Sequence, residues 1–168
     1  MSLPPLSLHT ETRHNPIDLI ENLVSSHGWP FDRSGDDEVN ICVAGKWCDY
    51  HLSFNWQRDV KALAAAAAFD FKAPPERREA IYELLCLINE RLWVGHFDVS
   101  SADGSILFRH GLLLARHAES NLDQCETMLK LSVETAERYY PAFQFVLWAG
   151  KTAREAMEAS LFECAGEA

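Results

Sequence analysis

Apolar and polar residues alternate along two neighbouring stretches of the chain, residues 38–44 and 47–56. A period of two predicts β-strands, and the Gly45-Lys46 pair between the stretches is typical of a hairpin loop. A two-residue loop there pairs Asn40 with His51 and gathers most large apolar residues of both strands on one side. The pattern therefore predicts an antiparallel hairpin with one buried face and one polar face.

A second hairpin is predicted around Asp103-Gly104, a pair that favours a tight type I′ turn. Its strands would be residues 93–100 and 105–115. The predicted cross-strand pairs on its polar face are Asp98 with Arg109 and His96 with Gly111.

Residues 59–71 contain five consecutive alanines, Ala64–Ala68. Alanine has the highest intrinsic helix propensity, which favours a helix here. We predict a strand instead, because the segment follows two strands after a short turn and is stopped by Pro74-Pro75. Alanines on both faces of such a strand would also let a helix pack closely on the sheet.

The remaining segments show apolar residues at helical spacing. Asn15-Pro16 and Pro75 begin the first two helices, because Asn is a good N-cap and Pro suits the first helical position. A third helix is expected after Ser120 as N-cap, with Pro141 starting a new segment or kinking the helix. A fourth follows Thr152, which heads a capping box.

The elements follow the order α-βββ-α-ββ-α. This order predicts an α+β, two-layer fold in which helices pack on one face of a mostly antiparallel five-stranded sheet. The extended segment Trp29-Pro30-Phe31 would add at most a short edge strand, since proline is tolerated only at sheet edges. Residues 1–14 are expected to be a flexible arm, and residues 15–168 a single domain.

Composition narrows the functional classes. The 168 residues carry a formal net charge of −10, and an acidic surface disfavours nucleic-acid binding because it repels phosphate backbones. No apolar stretch reaches the length of a membrane span and no signal-peptide pattern is present, so we expect a cytoplasmic protein without a membrane partner. Five cysteines at wide spacing disfavour a disulfide framework and a structural zinc site.

One group of polar residues could carry chemistry. Asp49 and His51 alternate on one predicted strand, and His96 and Asp98 alternate on another. Carboxylates and imidazoles serve as metal ligands and general bases, so the four would form a metal site or hydrolase centre if the hairpins were neighbours. Solvated strands and an ion pair between Asp98 and Arg109 explain the same residues without a site. We favour that explanation and expect no catalytic residue, metal or cofactor.

A cysteine nucleophile is also disfavoured. Cys42 or Cys48 would need His51 as a base, but Cys48 points inward and no third group that would orient the imidazole is evident. The sequence contains no P-loop, dinucleotide-binding or serine-hydrolase motif.

Aromatic residues are numerous, and those near residue 145 cannot all face one side of a helix. Some of this surface is expected to contact a partner, since exposed aromatic side chains are typical interface anchors. The candidate interaction surface consists of Trp47, Asp49, His51, His96, Asp98, Arg109, Tyr140, Phe143 and Trp148.

Several stretches resemble the YbjN family of bacterial proteins, which are described as sensory transduction regulators. The shared features are the Trp47–Trp56 strand, the Pro74-Pro75-Glu76 helix start, Leu87–Arg91, Val94–Asp98, Phe108-Arg109-His110 and the aromatic Tyr139–Phe143 segment. The resemblance covers about residues 15–163. It implies a fold similar to type III secretion chaperones and a homodimer, and it carries no catalytic residues to this chain.

Two functions are therefore expected. The first is a non-enzymatic, homodimeric protein-binding module with a regulatory or chaperone-like role and an unidentified protein partner. The alternative is a small metal-binding protein or hydrolase that uses the Asp/His group on the polar sheet face.

Overall fold

The structure is a computed structural model that describes residues 15–114 and 121–165. Its elements are helix α1 (Pro16–His27), strands β1 (Phe31–Arg33), β2 (Glu38–Ala44), β3 (Asp49–Gln57) and β4 (Ala62–Lys72), a 3-10 turn (Pro75–Arg77), helix α2 (Arg78–Asn89), strands β5 (His96–Val99) and β6 (Ser105–Leu113), and helices α3 (Leu122–Leu147) and α4 (Ala153–Ala165). The predicted α+β fold and its element order are confirmed. The predicted arm, residues 1–14, and the predicted cap Ser120 lie outside the described residues.

The strands form one antiparallel sheet in the order β1-β2-β3-β4-β6-β5. The prediction of five strands was one short, because the segment at Phe31–Arg33 pairs with β2 as a three-residue edge strand. Buried and less buried residues alternate along β2, β3 and the alanine strand β4. Helices α1, α2 and α3 pack on the buried side, and α4 packs on α2 and α3. The opposite side, called here the open face, carries none of the described helices, as an antiparallel sheet allows.

The alanine run forms the central strand β4, as predicted. Ala65 and Ala67 are buried towards the helices, whereas Ala64, Ala66 and Ala68 alternate onto the open face. Because methyl groups take little room, α3 can cross close above β4.

Both hairpins have the predicted faces, but their registers differ from the predicted ones by two residues. Asn40 pairs with Ser53 rather than His51, and His96 pairs with Arg109 rather than Gly111. A shift by two leaves every side chain on its original face, so the alternation of apolar residues could not reveal it.

The physical cause is loop length: four residues separate the last cross-strand pair of the first hairpin, Ala44 and Asp49, and six separate Val99 and Ile106 in the second. In the first loop the Gly45 amide donates to the Cys48 carbonyl at 3.0 Å, and Gly45 lies so close under the Tyr50 ring that no side chain would fit. In the second loop the Gly104 amide donates to the Ser100 carbonyl at 2.8 Å, with Gly104 at a φ of 77°.

Helix α3 is continuous from Leu122 to Leu147, so Pro141 does not begin a new segment. Its N-cap is Asn121, whose side chain accepts from the Gln124 amide at 2.8 Å, while the Gln124 side chain accepts from the Asn121 amide. Pro141 is buried within the helix, where tertiary packing offsets its unfavourable effect. The predicted capping box at Thr152 and Glu155 is confirmed.

The two faces of β4 should respond differently to one substitution. We expect Ala67→Leu to lower the free energy of unfolding by about 1–3 kcal/mol, because it overpacks the space below the helices. Ala66→Leu, one residue away on the open face, is the matched control and should change it by less than about 0.5 kcal/mol. Urea denaturation followed by circular dichroism measures both, and equal losses would contradict the assigned faces.

Candidate functional site on the open face

The open face is organised in rows that cross the strands. The central row, from β1 to β5, consists of Asp32, Asn40, Ser53, Ala66, Arg109 and His96. The next row, from β2 to β5, consists of Cys42, His51, Ala68, Leu107 and Asp98. These rows show which predicted site residues the fold brings together.

The Asp/His group considered as a metal or hydrolase centre does not assemble. Strands β4 and β6 separate His51 from Asp98, and three strand spacings amount to about 14 Å. The hairpins are therefore not neighbours, which the hypothesis required. Among the residues that the structure describes, no three His, Cys, Asp or Glu side chains are placed to hold a metal ion.

The predicted ion pair between Asp98 and Arg109 is present, with 3.2 Å between Oδ2 and Nε. It is diagonal rather than directly cross-strand, since Asp98 lies opposite Leu107. Both side chains are about half exposed. Within residues 15–114 and 121–165, Arg109 forms no ion pair with a second carboxylate, so its guanidinium can still donate to another partner.

The cysteines fit structural thiols better than nucleophiles. Cys42 lies directly opposite His51. Cys48 packs against the core beside Asp70, and burial, reinforced by the Asp70 carboxylate, raises its pKa to about 11. Its thiol is therefore protonated at neutral pH.

The aromatic part of the predicted interaction surface needs a correction. Tyr140 and Phe143 are only 2% and 0% exposed, because α3 turns both rings towards the sheet and packs them against Phe69. They belong to the core and cannot contact a partner directly. Trp47 and Trp148 remain accessible, at 37% and 63% exposure.

These two tryptophans mark the ends of a connected set of rings. Trp47 stacks on Tyr140 with centroids 6.3 Å apart, Tyr140 contacts Phe71 at 5.0 Å, and Trp148 meets Phe71 edge-on at 5.3 Å. We call the accessible part, Trp47, Phe71 and Trp148, the aromatic end.

A groove of about 720 Å³ crosses the open face. Its floor is made of residues with little or no side chain, Ala64, Ala66 and Gly111, and one wall is the β3 row Ser53, Asn55 and Gln57. The other side carries Arg109 and the segment from Trp93 to His96. We call it the alanine groove.

The position of Trp93 in this groove differs from the sequence prediction. Residues 93–95 were predicted as the start of a strand, but β5 begins at His96 and Trp93 is 100% exposed in the preceding loop. Alternate small residues on β4, together with Gly111, were the available signal for a groove floor.

Two contacts hold this loop and β5 in place. The Asn89 side chain accepts from the Phe97 amide at 2.8 Å and donates to the Phe97 carbonyl at 3.0 Å. Gly95 has a φ of 75° and lies against the Phe108 ring and the Arg109 carbonyl, where a Cβ would clash. Asn89 thus occupies the outer edge of β5, and Gly95 lets the groove wall approach β6.

Loss of the Asn89 contacts should destabilise the protein. We expect Asn89→Ala to lower the free energy of unfolding by about 1–3 kcal/mol, because two backbone groups of Phe97 lose their partner. Asn55→Ala removes the same side chain from the groove wall, where it has no protein hydrogen bond among the described residues, and is the control. Equal denaturation midpoints for the two variants would contradict the role given to Asn89.

Cysteine reactivity should follow burial. At pH 7.5 a thiol with a pKa of about 11 is ionised in about one molecule in three thousand, so Cys48 should resist iodoacetamide. Peptide mapping by mass spectrometry should show modification of the exposed Cys86 first. In urea the two cysteines should react at similar rates. Rapid modification of Cys48 in the native protein would show that its thiol is accessible and would contradict this prediction.

Comparison with known proteins identifies the family. No curated protein matches this chain. The YbjN family model, described as "Putative bacterial sensory transduction regulator", matches residues 16–145. A solved structure titled "Crystal structure of YbjN, a putative transcription regulator from E. coli" is similar with a TM-score of 0.50 and 12% identity, over 71% of this chain and 84% of that chain, which shows a shared fold. None of the described helices is long and apolar enough to cross a membrane. The protein therefore belongs to the YbjN family, as its resemblance to that family predicted.

Proposed function

We propose that this protein is a cytoplasmic, non-enzymatic homodimer that recognises another protein through its open face and has a regulatory role. The observation that carries the proposal is the one-sided packing of the sheet, with α1, α2 and α3 all on the buried side. The description of the family as sensory transduction regulators supports a regulatory role. The likeness to type III secretion chaperones, and with it a chaperone-like role, stays a prediction.

The open face has the dimensions of a recognition surface. Six strands at about 4.8 Å spacing and the nine residues of β3 span roughly 24 Å by 27 Å. An area on the order of 600 Å² approaches the roughly 800 Å² per partner of a standard interface. The fully exposed Trp93, an aromatic residue of the kind that anchors protein interfaces, lines the same groove as Ser53 and Asn55.

A second copy of the chain is best accommodated at the aromatic end. Trp148 leaves more than half of its surface in water and touches the core through Phe71. Covering this patch would remove apolar area from water, which is the main driving force for association. An apolar contact also suits a chain with a net charge of −10, because two copies repel each other electrostatically.

The site chemistry supports a binding role over a catalytic one. The Asp/His side chains lie on separated strands, and the Cys48 thiol stays protonated at neutral pH. The four described cysteines are free thiols, which fits a reducing compartment such as the cytoplasm.

The dimer can be tested with a matched pair of tryptophans. Light scattering should give twice the chain mass of 19.0 kDa for the wild type and for Trp93→Ser. Trp148→Ser should shift the mass towards the monomer, because it removes the exposed ring of the aromatic end. A monomeric wild type would rule out the dimer. A Trp148→Ser variant that remains dimeric would show that the interface does not involve the aromatic end.

Recognition through the open face can be tested by affinity capture from the native host. The double variant Ala64→Leu/Ala66→Leu fills the groove floor, and Tyr82→Ser changes an exposed residue of α2 instead. Proteins retained by the wild type and by Tyr82→Ser should not be retained by Ala64→Leu/Ala66→Leu. Capture of the same proteins by all three would contradict recognition through this face.

A further inference from the structure

We propose that the alanine groove binds an extended segment of the partner protein and that Arg109 receives a carboxylate of that segment. This inference rests on the proposed function, because it names the part of the partner that the open face would contact. Three features of the groove carry it: the spacing of one wall, the flatness of the floor and the charge of the other side.

The wall on β3 has the spacing of an extended chain. Ser53, Asn55 and Gln57 alternate along one strand, so neighbouring side chains are about 6.8 Å apart. Backbone groups of equal orientation in an extended peptide repeat at the same distance, whereas an α-helix repeats at about 5.4 Å. Hydroxyl and amide side chains can both donate and accept, and these three bond no other described residue. They can therefore pair with the backbone of a segment that lies along β4.

The floor allows a backbone to come close. Ala64 and Ala66 contribute only methyl groups, and a Cβ placed on Gly111 would meet no atom within 4 Å. From β3 to the Trp93–His96 segment the groove spans three strand spacings, about 14 Å. That width accepts one extended chain with its side chains directed to both walls.

The side formed by β5 and β6 determines the chemistry of the occupant. Within the described part of the chain no carboxylate lines the groove, although the protein has a net charge of −10. Arg109 and His96 are cross-strand partners there. Arg109 pairs with Asp98 through Nε, and because a guanidinium has five N–H donors it can also donate to a carboxylate of the partner. A lysine or arginine of the partner would instead meet like charge, so the geometry favours an acidic segment.

The test is a selection of 12-residue peptides from a random phage-displayed library on the wild-type protein, with counter-selection on Ala64→Leu/Ala66→Leu. Enriched peptides should contain Asp or Glu, and fluorescence anisotropy should show weaker binding as salt increases. Arg109→Gln should raise Kd by about tenfold or more, the effect of losing a charge-assisted pair. Lys72→Gln removes one positive charge from β4 outside the groove and should change Kd by less than about twofold.

Several outcomes would overturn the proposal. They are the absence of enriched peptides, binding that survives the filled groove, and binding that Arg109→Gln and Lys72→Gln weaken equally. A change in oligomeric state on filling the groove would show that a second copy covers it. Thermal melts of Arg109→Gln should match the wild type, because its ion pair is half exposed.

Failure of this inference can be separated from failure of the proposed function. If Ala64→Leu/Ala66→Leu releases the captured host protein but Arg109→Gln does not, the open face still recognises a partner and only the acidic segment is wrong. If neither variant releases it, both proposals fail.

Discussion

Backbone pairing of β4 with β3 on one side and β6 on the other joins the two hairpins into a single sheet. The same strand determines how the helix layer sits, because Ala65 and Ala67 leave α3 room to approach. From there α3 delivers Tyr140 and Phe143 onto Phe69, the centre of the aromatic core. Sheet continuity and core packing therefore both depend on a strand whose middle residues carry only methyl side chains.

The opposite side of that strand has a different consequence. Where the flanking strands carry Ser53, Asn55 and Arg109, the alanines leave a depression between them. Alternate members of one alanine run thus admit a helix on one face and form the floor of a groove on the other. The proposed binding surface depends on small side chains for its shape, and the neighbouring strands supply its polar and charged groups.

Much of this architecture could be predicted from local patterns. Alternation placed Tyr50 and His51 on the correct faces, and the position of the alanine run between β3 and Pro74-Pro75 outweighed its helix propensity. Hairpin registers could not be obtained this way, because they depend on loop contacts such as that of Gly45 with the Tyr50 ring.

The candidate site was less predictable because it depends on strand order. The Asp/His group required adjacent hairpins, and nothing in the local sequence shows that β4 lies between them. Tyr140 and Phe143 could not be assigned to core or surface without knowing that α3 continues through Pro141. Trp93 was misplaced because Gly95 and Asn89, which hold the loop against β6, act through tertiary contacts.

Five consecutive alanines also leave the middle of β4 without any preference for one alignment over the next. A slip by one residue would exchange methyl groups for methyl groups on both faces. Leu63 and Phe69, both buried, are the residues that such a slip would turn into water. Leu63 and Phe69, at the two ends of the alanine run in β4, therefore determine how β3 and β6 align across the centre of the sheet.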